Sequence, residues 1–382
     1  MYDSIRNVGD FLSPHWLSEV FPDKLRTLGR EWRDRVEHGK HSPLQGLSGS
    51  SAAFAKTKAA LPRPRGEDGE GYAEAVTDLH CLLLRALGYE PEPVELATEQ
   101  SGTPVTVPLL ARCQSPAGEA LHVLQAAPVD DADDLFSDDG RLLHPVRVRT
   151  GKTDTAKVEE IGSVTKAVQR LLLTDDAPRF VLVVAGGWLL LSDTERWAEG
   201  RYLAFDVDTA LSRKDDKATG ELAWIAGLAS SDVLLPAEDG NSRLTEFSED
   251  SVKHAVGVSE ELREGLRVSV ELIAGEVIAK RRAAGDAVEG IPELPRELTT
   301  QSLRFLYRIL FLLYAEARPE LRILPVGDPD YDSGYGLDRL RELIHRPLTG
   351  PSADGHHLHD SLRLLFRLVN QGHGEGGGAT GD

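Results

Sequence analysis

The chain has 382 residues, room for two or three domains. Its 41% hydrophobic and 27% charged residues exclude disorder along the whole length. A net charge of −19 excludes nucleic-acid binding through the average field, so any DNA contact needs a local basic face or a further domain. Cys81 and Cys113 form neither a disulfide framework nor a paired metal-ligand spacing, and Cys81 beside Leu82-Leu83-Leu84 predicts a buried thiol. Met1–Asp10 lacks the basic-then-apolar pattern of a secretory signal, and no apolar run approaches the ~18 residues of a membrane span. A cytoplasmic chain with no membrane partner is expected.

Residues 1–60 read as polar and partly helical, with Trp16, Val20, Phe21 and Leu25 on one stripe. Leu61–Gly69 has the Pro, Gly and charge content of a linker. Ala75, Leu79, Leu82, Leu83 and Ala86 stand at helical spacing, predicting a helix from about Tyr72 to Leu87 that stops at Gly88. Strands are predicted at Pro93–Ala97, Val105–Ala111 and Ala120–Ala126, with Gly102 and Gly118 in the turns. After the acidic loop Asp130–Asp134, a second helix is predicted over Ala156–Leu173. Phe180–Ala185 and Trp188–Leu191 flank Gly186-Gly187, a pair suited to the positive φ of a tight hairpin. Tyr202–Val207 reads as a further strand. Helices are predicted over Ser251–Arg282, Ser302–Arg318, Asp338–Ile344 and Ser361–Val369, before a glycine-rich tail. The stripe of Ser302–Arg318, with Leu303, Leu306, Leu310 and Leu313 beside Tyr307, Phe311 and Tyr314, is wide enough to require cover.

The order helix, three strands, helix, strands is that of a restriction-endonuclease-like core, a mixed sheet between helices. A nuclease of this shape needs an acid at the start of its second strand and an acid-x-lysine triplet at the end of its third, to hold Mg²⁺ and orient water. Here the second strand, Val105–Ala111, has no acid, and the third ends Leu124-Gln125-Ala126-Ala127. Glu74 alone cannot hold a metal and reads as a solvated helix residue, as Asp130–Asp134 reads as solvated surface. Base methylation needs an Asn/Asp-Pro-Pro-aromatic motif and a glycine-rich cofactor turn, and neither occurs. The cluster His356-His357-Leu358-His359 lacks a second ligand pair and reads as a polar loop. No catalytic, cofactor-binding or metal-binding residue is therefore expected. Lys280-Arg281-Arg282 closes a helix, where the dipole favours cations, which leaves Arg147, Arg149 and Lys152 as the candidate DNA-phosphate contacts.

The segment Ser302–Arg318, ending Leu312-Leu313-Tyr314-Ala315-Glu316-Ala317-Arg318, resembles a helix of type IIG-like DNA methyltransferases, among them the large methylases of the BREX and DISARM phage-defence systems. Tyr331–Arg341 resembles their following segment, and Phe180–Leu191, followed by Arg196-Trp197 and Arg201–Asp206, resembles the strand pair and strand that precede it. The resemblance covers about residues 70–370. It implies an α/β fold: a degenerate restriction-endonuclease-like mixed sheet flanked by helices over 70–240, then an α-helical connector domain over 241–370. An N-terminal helical segment and linker (1–69) would precede these, and a flexible tail (371–382) would follow. It further implies the non-catalytic N-terminal portion, fragment or split product, of an adenine-specific methyltransferase. S-adenosylmethionine would belong to the parent protein, not to this chain. The implied partners are DNA and either a methyltransferase domain or other defence-system subunits. The alternative is a stand-alone adaptor between proteins, without enzymatic activity.

Overall fold

Two units make up the chain, Met1–Gly257 and Val258–Asp382, in a computed structural model that describes residues 2–62, 69–115, 118–137, 140–150, 157–237, 240–286, 288–344 and 355–371. The first unit opens with β1 (Ile5–Val8) and the helices α1 (Pro14–Glu19), α2 (Phe21–Glu37), α3 (Pro43–Ala59) and α4 (Gly69–Ala86). There follow β2 (Val94–Gln100), β3 (Thr103–Leu109), β4 (Ala111–Ser115), β5 (Gly118–Gln125), β6 (Arg141–Thr150) and β7 (Lys157–Ser163). Then come α5 (Val164–Leu171), β8 (Phe180–Ala185), β9 (Trp188–Asp193), α6 (Thr194–Trp197) and β10 (Tyr202–Asp206). The short helices α7 (Val207–Arg213), α8 (Glu221–Ala229) and α9 (Ser231–Leu234) lead to the long α10 (Arg243–Ala283), which crosses the unit boundary.

The fold is α/β. One sheet has the order β1-β10-β9-β8-β5-β4 and is mixed; the other, β2-β3-β6-β7, is antiparallel. In the mixed sheet only β5 and β8 run parallel, Leu121 facing Phe180 and Gln125 facing Val184. Every residue of β8 and β9 is buried, which explains their unbroken apolar runs: both faces are covered. Alternate residues divide between two cores. Leu182, Val184, Leu189 and Leu191 face the helices, joining Trp16, Phe21 and Trp32. Val181, Val183 and Leu190 face the antiparallel sheet and α5. The first sixty residues therefore pack into the same core as the sheet, and their stripe residues Trp16, Phe21 and Leu25 are buried in it.

Several predicted elements take a different form. The predicted strand Val105–Ala111 bends at Leu110, where the chain leaves the antiparallel sheet as β3 and enters the mixed sheet as β4. The first half of the helix predicted over 156–173 is β7, because its backbone pairs with β6, Glu160 opposite Arg147 and Ile161 opposite Val146. Val158 and Ile161 mimic helical spacing, yet Val158 is exposed. Residue 156 lies outside the described residues. The Asp130–Asp134 loop contains a short 3₁₀ turn, Ala132–Phe136, capped by Asp131. Linker residues 63–68 and tail residues 372–382 lie outside the described residues.

The hairpin between β8 and β9 forms as expected, with Ala185 opposite Trp188. Gly186 has φ +65°, and a Cβ there would stand 2.9 Å from Pro128 Cβ. Gly186→Ala should therefore lower unfolding free energy by about 2 kcal/mol or more, from left-handed strain plus the clash, read in urea unfolding.

The second unit is helical. After α10 come α11 (Leu294–Ala317), α12 (Pro329–Gly334), α13 (Leu337–Ile344) and α14 (His357–Gln371). Its core is Leu312, Ala315, Leu324, Tyr331, Leu337 and Leu365 among others. The covered face of α11 is thus not the predicted stripe: Tyr307, Phe311, Leu313 and Tyr314 are exposed, and Leu312 and Ala315 are buried. Glu316 is the joint. Its Oε1 accepts from Tyr331 Oη at 2.7 Å and from the Leu337 amide at 2.8 Å, which ties the end of α11 to α12 and caps α13. Burial and the Glu316 hydrogen bond push the Tyr331 phenol up. Leu312→Ala should cost about 2–5 kcal/mol and exposed Tyr314→Ala under about 1 kcal/mol, compared by thermal melting of the two variants.

Candidate functional site

At the carboxyl end of β5, beside the parallel partner β8, the chain presents Gln125 to a cleft of about 870 Å³. One wall is α4, which contributes Glu74 and Thr77; the other is the antiparallel sheet, which contributes Glu95, His144, Arg147 and Glu160. In an open α/β sheet the carboxyl ends of strands are where sites form, because the helices diverge there.

Behind Gln125, which lines the cleft, lies a buried hydrogen-bond chain. His80 is fully buried on α4, one turn beyond Thr77 and within the run Leu79-His80-Cys81-Leu82. Its Nε2 accepts the Gly186 N–H at 2.8 Å. An Nε2 that accepts carries no proton, so the proton sits on Nδ1 and is donated to Gln125 Oε1, 3.1 Å away. One neutral imidazole thereby joins α4, β5 and the β8–β9 hairpin. Burial outweighs the glutamine contact and lowers the His80 pKa from 6.5 to about 4. Neighbouring Cys81 is buried, and burial raises its thiol.

Of the candidate DNA contacts, Arg147 and Arg149 stand two apart on β6 and share the side of that strand opposite the buried Val146 and Val148. Arg147 lines the cleft but is ion-paired with Glu95 and lies across from Glu160. Glu74, Glu95 and Glu160 outnumber it, so the cleft does not favour an anion. Arg149 is exposed near the end of β6, and Lys152 lies outside the described residues. Among the described residues no three His, Cys, Asp or Glu side chains converge to hold a metal. Glu74 is an exposed residue of α4 at the cleft wall. Asp131 is ion-paired with Arg6, whose hydrogen bond lowers its carboxyl, and Arg6 lies over the Trp188 ring. The histidine cluster does not stay a loop: His357 and His359 lie in the first turn of α14, where His359 stacks on Phe305 at 6.3 Å. None of the described helices is long and apolar enough to cross a membrane.

No family model, no curated protein and no solved structure matches the chain. The residue that sequence reasoning missed is His80. The available signal was a lone histidine inside an apolar helix run, which must find buried partners or destabilise the fold.

The depressed pKa carries a pH dependence. The folded state binds the His80 proton less readily than the unfolded chain. Its contribution is therefore complete above the unfolded value of 6.5 and is lost as pH falls toward about 4. Acidification across that window should remove roughly 3 kcal/mol of stability. His80→Asn should be less stable at neutral pH and show a flatter slope, measured by urea unfolding at a series of pH values. An unchanged slope in the variant would assign the acid sensitivity to other groups.

Proposed function

We propose that this chain is the non-catalytic N-terminal portion of an adenine-specific, S-adenosylmethionine-dependent DNA methyltransferase of a restriction-modification or phage-defence system. In this reading the first unit is a degenerate restriction-endonuclease-like core and the second a connector toward a methyltransferase domain. The observation that carries it is the end of β5. A nuclease of this shape would need an acid and a lysine there, and the chain instead has Gln125, hydrogen-bonded to the buried His80. The surroundings agree in shape: α4 precedes the strands, and α5 leads into β8, parallel to β5. Further support comes from the second unit, where Glu316 and Tyr331, from the two segments that carry the resemblance, are hydrogen-bonded to one another.

S-adenosylmethionine would then be bound by the parent protein, outside this chain, and the setting would be the cytoplasm. DNA would reach the chain through the parent protein or through Arg149 and Lys152, with Arg147 the weaker contact because of its pairing with Glu95. A second reading, an adaptor docking other defence subunits, is favoured by the exposed aromatics Tyr307, Phe311 and Tyr314 on α11.

In-frame deletion of the coding sequence tests the first reading. Sequencing of native DNA from the deleted strain should show loss of N6-methyladenine at one recognition sequence, whereas an unchanged methylation pattern would favour the adaptor. Titration of S-adenosylmethionine into the purified chain should give no binding heat; stoichiometric micromolar binding would overturn the non-catalytic assignment.

A further inference from the structure

The second unit carries two exposed faces of opposite charge. Between α11 and α14 runs a groove of about 590 Å³ with Phe311, Leu312, Phe366 and Val369 in it and Arg308 and Arg367 on its margins. Arg304 and Arg363 continue this margin along the two helices, one turn earlier in each. No acid occurs in 298–315 or in 361–371, although the whole chain carries −19. None of these four arginines is ion-paired with a described residue, and Arg308 lies 5.8 Å over the Phe366 ring. Phe311 is 48% exposed and Val369 41%, so the apolar floor is open.

The other face is on α10. Gly265, Val268, Leu272, Gly275 and Ala279 follow one another at spacings of three and four, so they share one stripe. Leu272 is 69% exposed and Val268 39%, and a Cβ at Gly265 or Gly275 would meet nothing within 4 Å. Glu261 and Glu276 border the stripe, Glu276 in an exposed pair with Lys280 at 3.5 Å, while Arg263 and Arg267 fall on another side of the helix, at 100° per residue. Arg267 is in any case held by Glu264 and Glu271. The small residues let another helix or groove wall approach closely, and the two apolar side chains sit one turn apart, as helix-in-groove anchors do.

We propose that the occupant of the groove is α10 of a second copy of this chain. Val268 and Leu272 enter between Phe311 and Phe366, and Glu261 and Glu276 meet the arginines on the margins. Reciprocal insertion, each copy giving α10 and receiving it, closes a two-fold dimer. Duplex DNA fits the arginines but offers nothing to the apolar floor, so a helix with acidic flanks is the better match.

Light scattering after size exclusion tests this with the full chain. The unmodified chain should run at twice the mass of one chain and shift toward the monomer as salt screens the margin charges. Two charge-reversed chains separate the contacts, Arg308→Glu with Arg367→Glu, and Glu261→Arg with Glu276→Arg. Each alone should be folded by thermal melting and monomeric, and an equal mixture should restore a dimer. A monomer at every concentration, a dimer that survives either reversal, or a mixture of folded variants that stays monomeric would overturn the proposal.

Discussion

A neutral imidazole in an apolar interior is tolerable only when both nitrogens are hydrogen-bonded, and His80 meets that condition through two other elements of the chain. The first unit depends on this constraint. Gly186 must present its N–H to Nε2, so the hairpin between β8 and β9 must turn at that point and the residue must tolerate φ +65°. Gln125 must present its oxygen to Nδ1, which fixes the end of β5 against α4. The result is a polar, uncharged seam behind the cleft. It lies at the carboxyl end of β5, and its chemistry is hydrogen bonding.

What the sequence made legible follows from strong local signals. The diglycine between two apolar runs marks the hairpin, and the period of Leu79, Leu83 and Ala86 marks α4. What it hid are choices made by distant partners. β7 looks helical because Val158 and Ile161 stand three apart, and only the ladder to β6 makes it a strand. The sheet switch at Leu110 leaves no mark in an unbroken apolar stretch. Helix α8 is buried on every side, so it has no polar period to betray it. For α11 the wide stripe was visible, but two faces competed for cover, and the narrower one with Leu312 and Ala315 lies in the core.

Charge shows the same dependence on context. Arg147 stands out in an acidic sequence, yet the fold sets Glu95 and Glu160 beside it, and an exposed pair of this kind adds little. The arginines of α11 and α14 are unremarked in the linear order because they alternate with apolar residues, and only the helical geometry gathers them along one groove. Local neutralisation thus separates the two units. The cleft of the first is balanced toward acid, and the groove of the second is basic against the charge of the whole chain.

The most direct measurement is long-range ¹⁵N–¹H correlation of the histidine rings at neutral pH, without and with micromolar Mn²⁺. The His80 ring should appear as the neutral tautomer protonated on Nδ1, with line widths unchanged by the metal. A ring protonated on Nε2, a charged ring, or selective broadening by Mn²⁺ would contradict a cleft backed by hydrogen bonds and restore the case for a metal-dependent site.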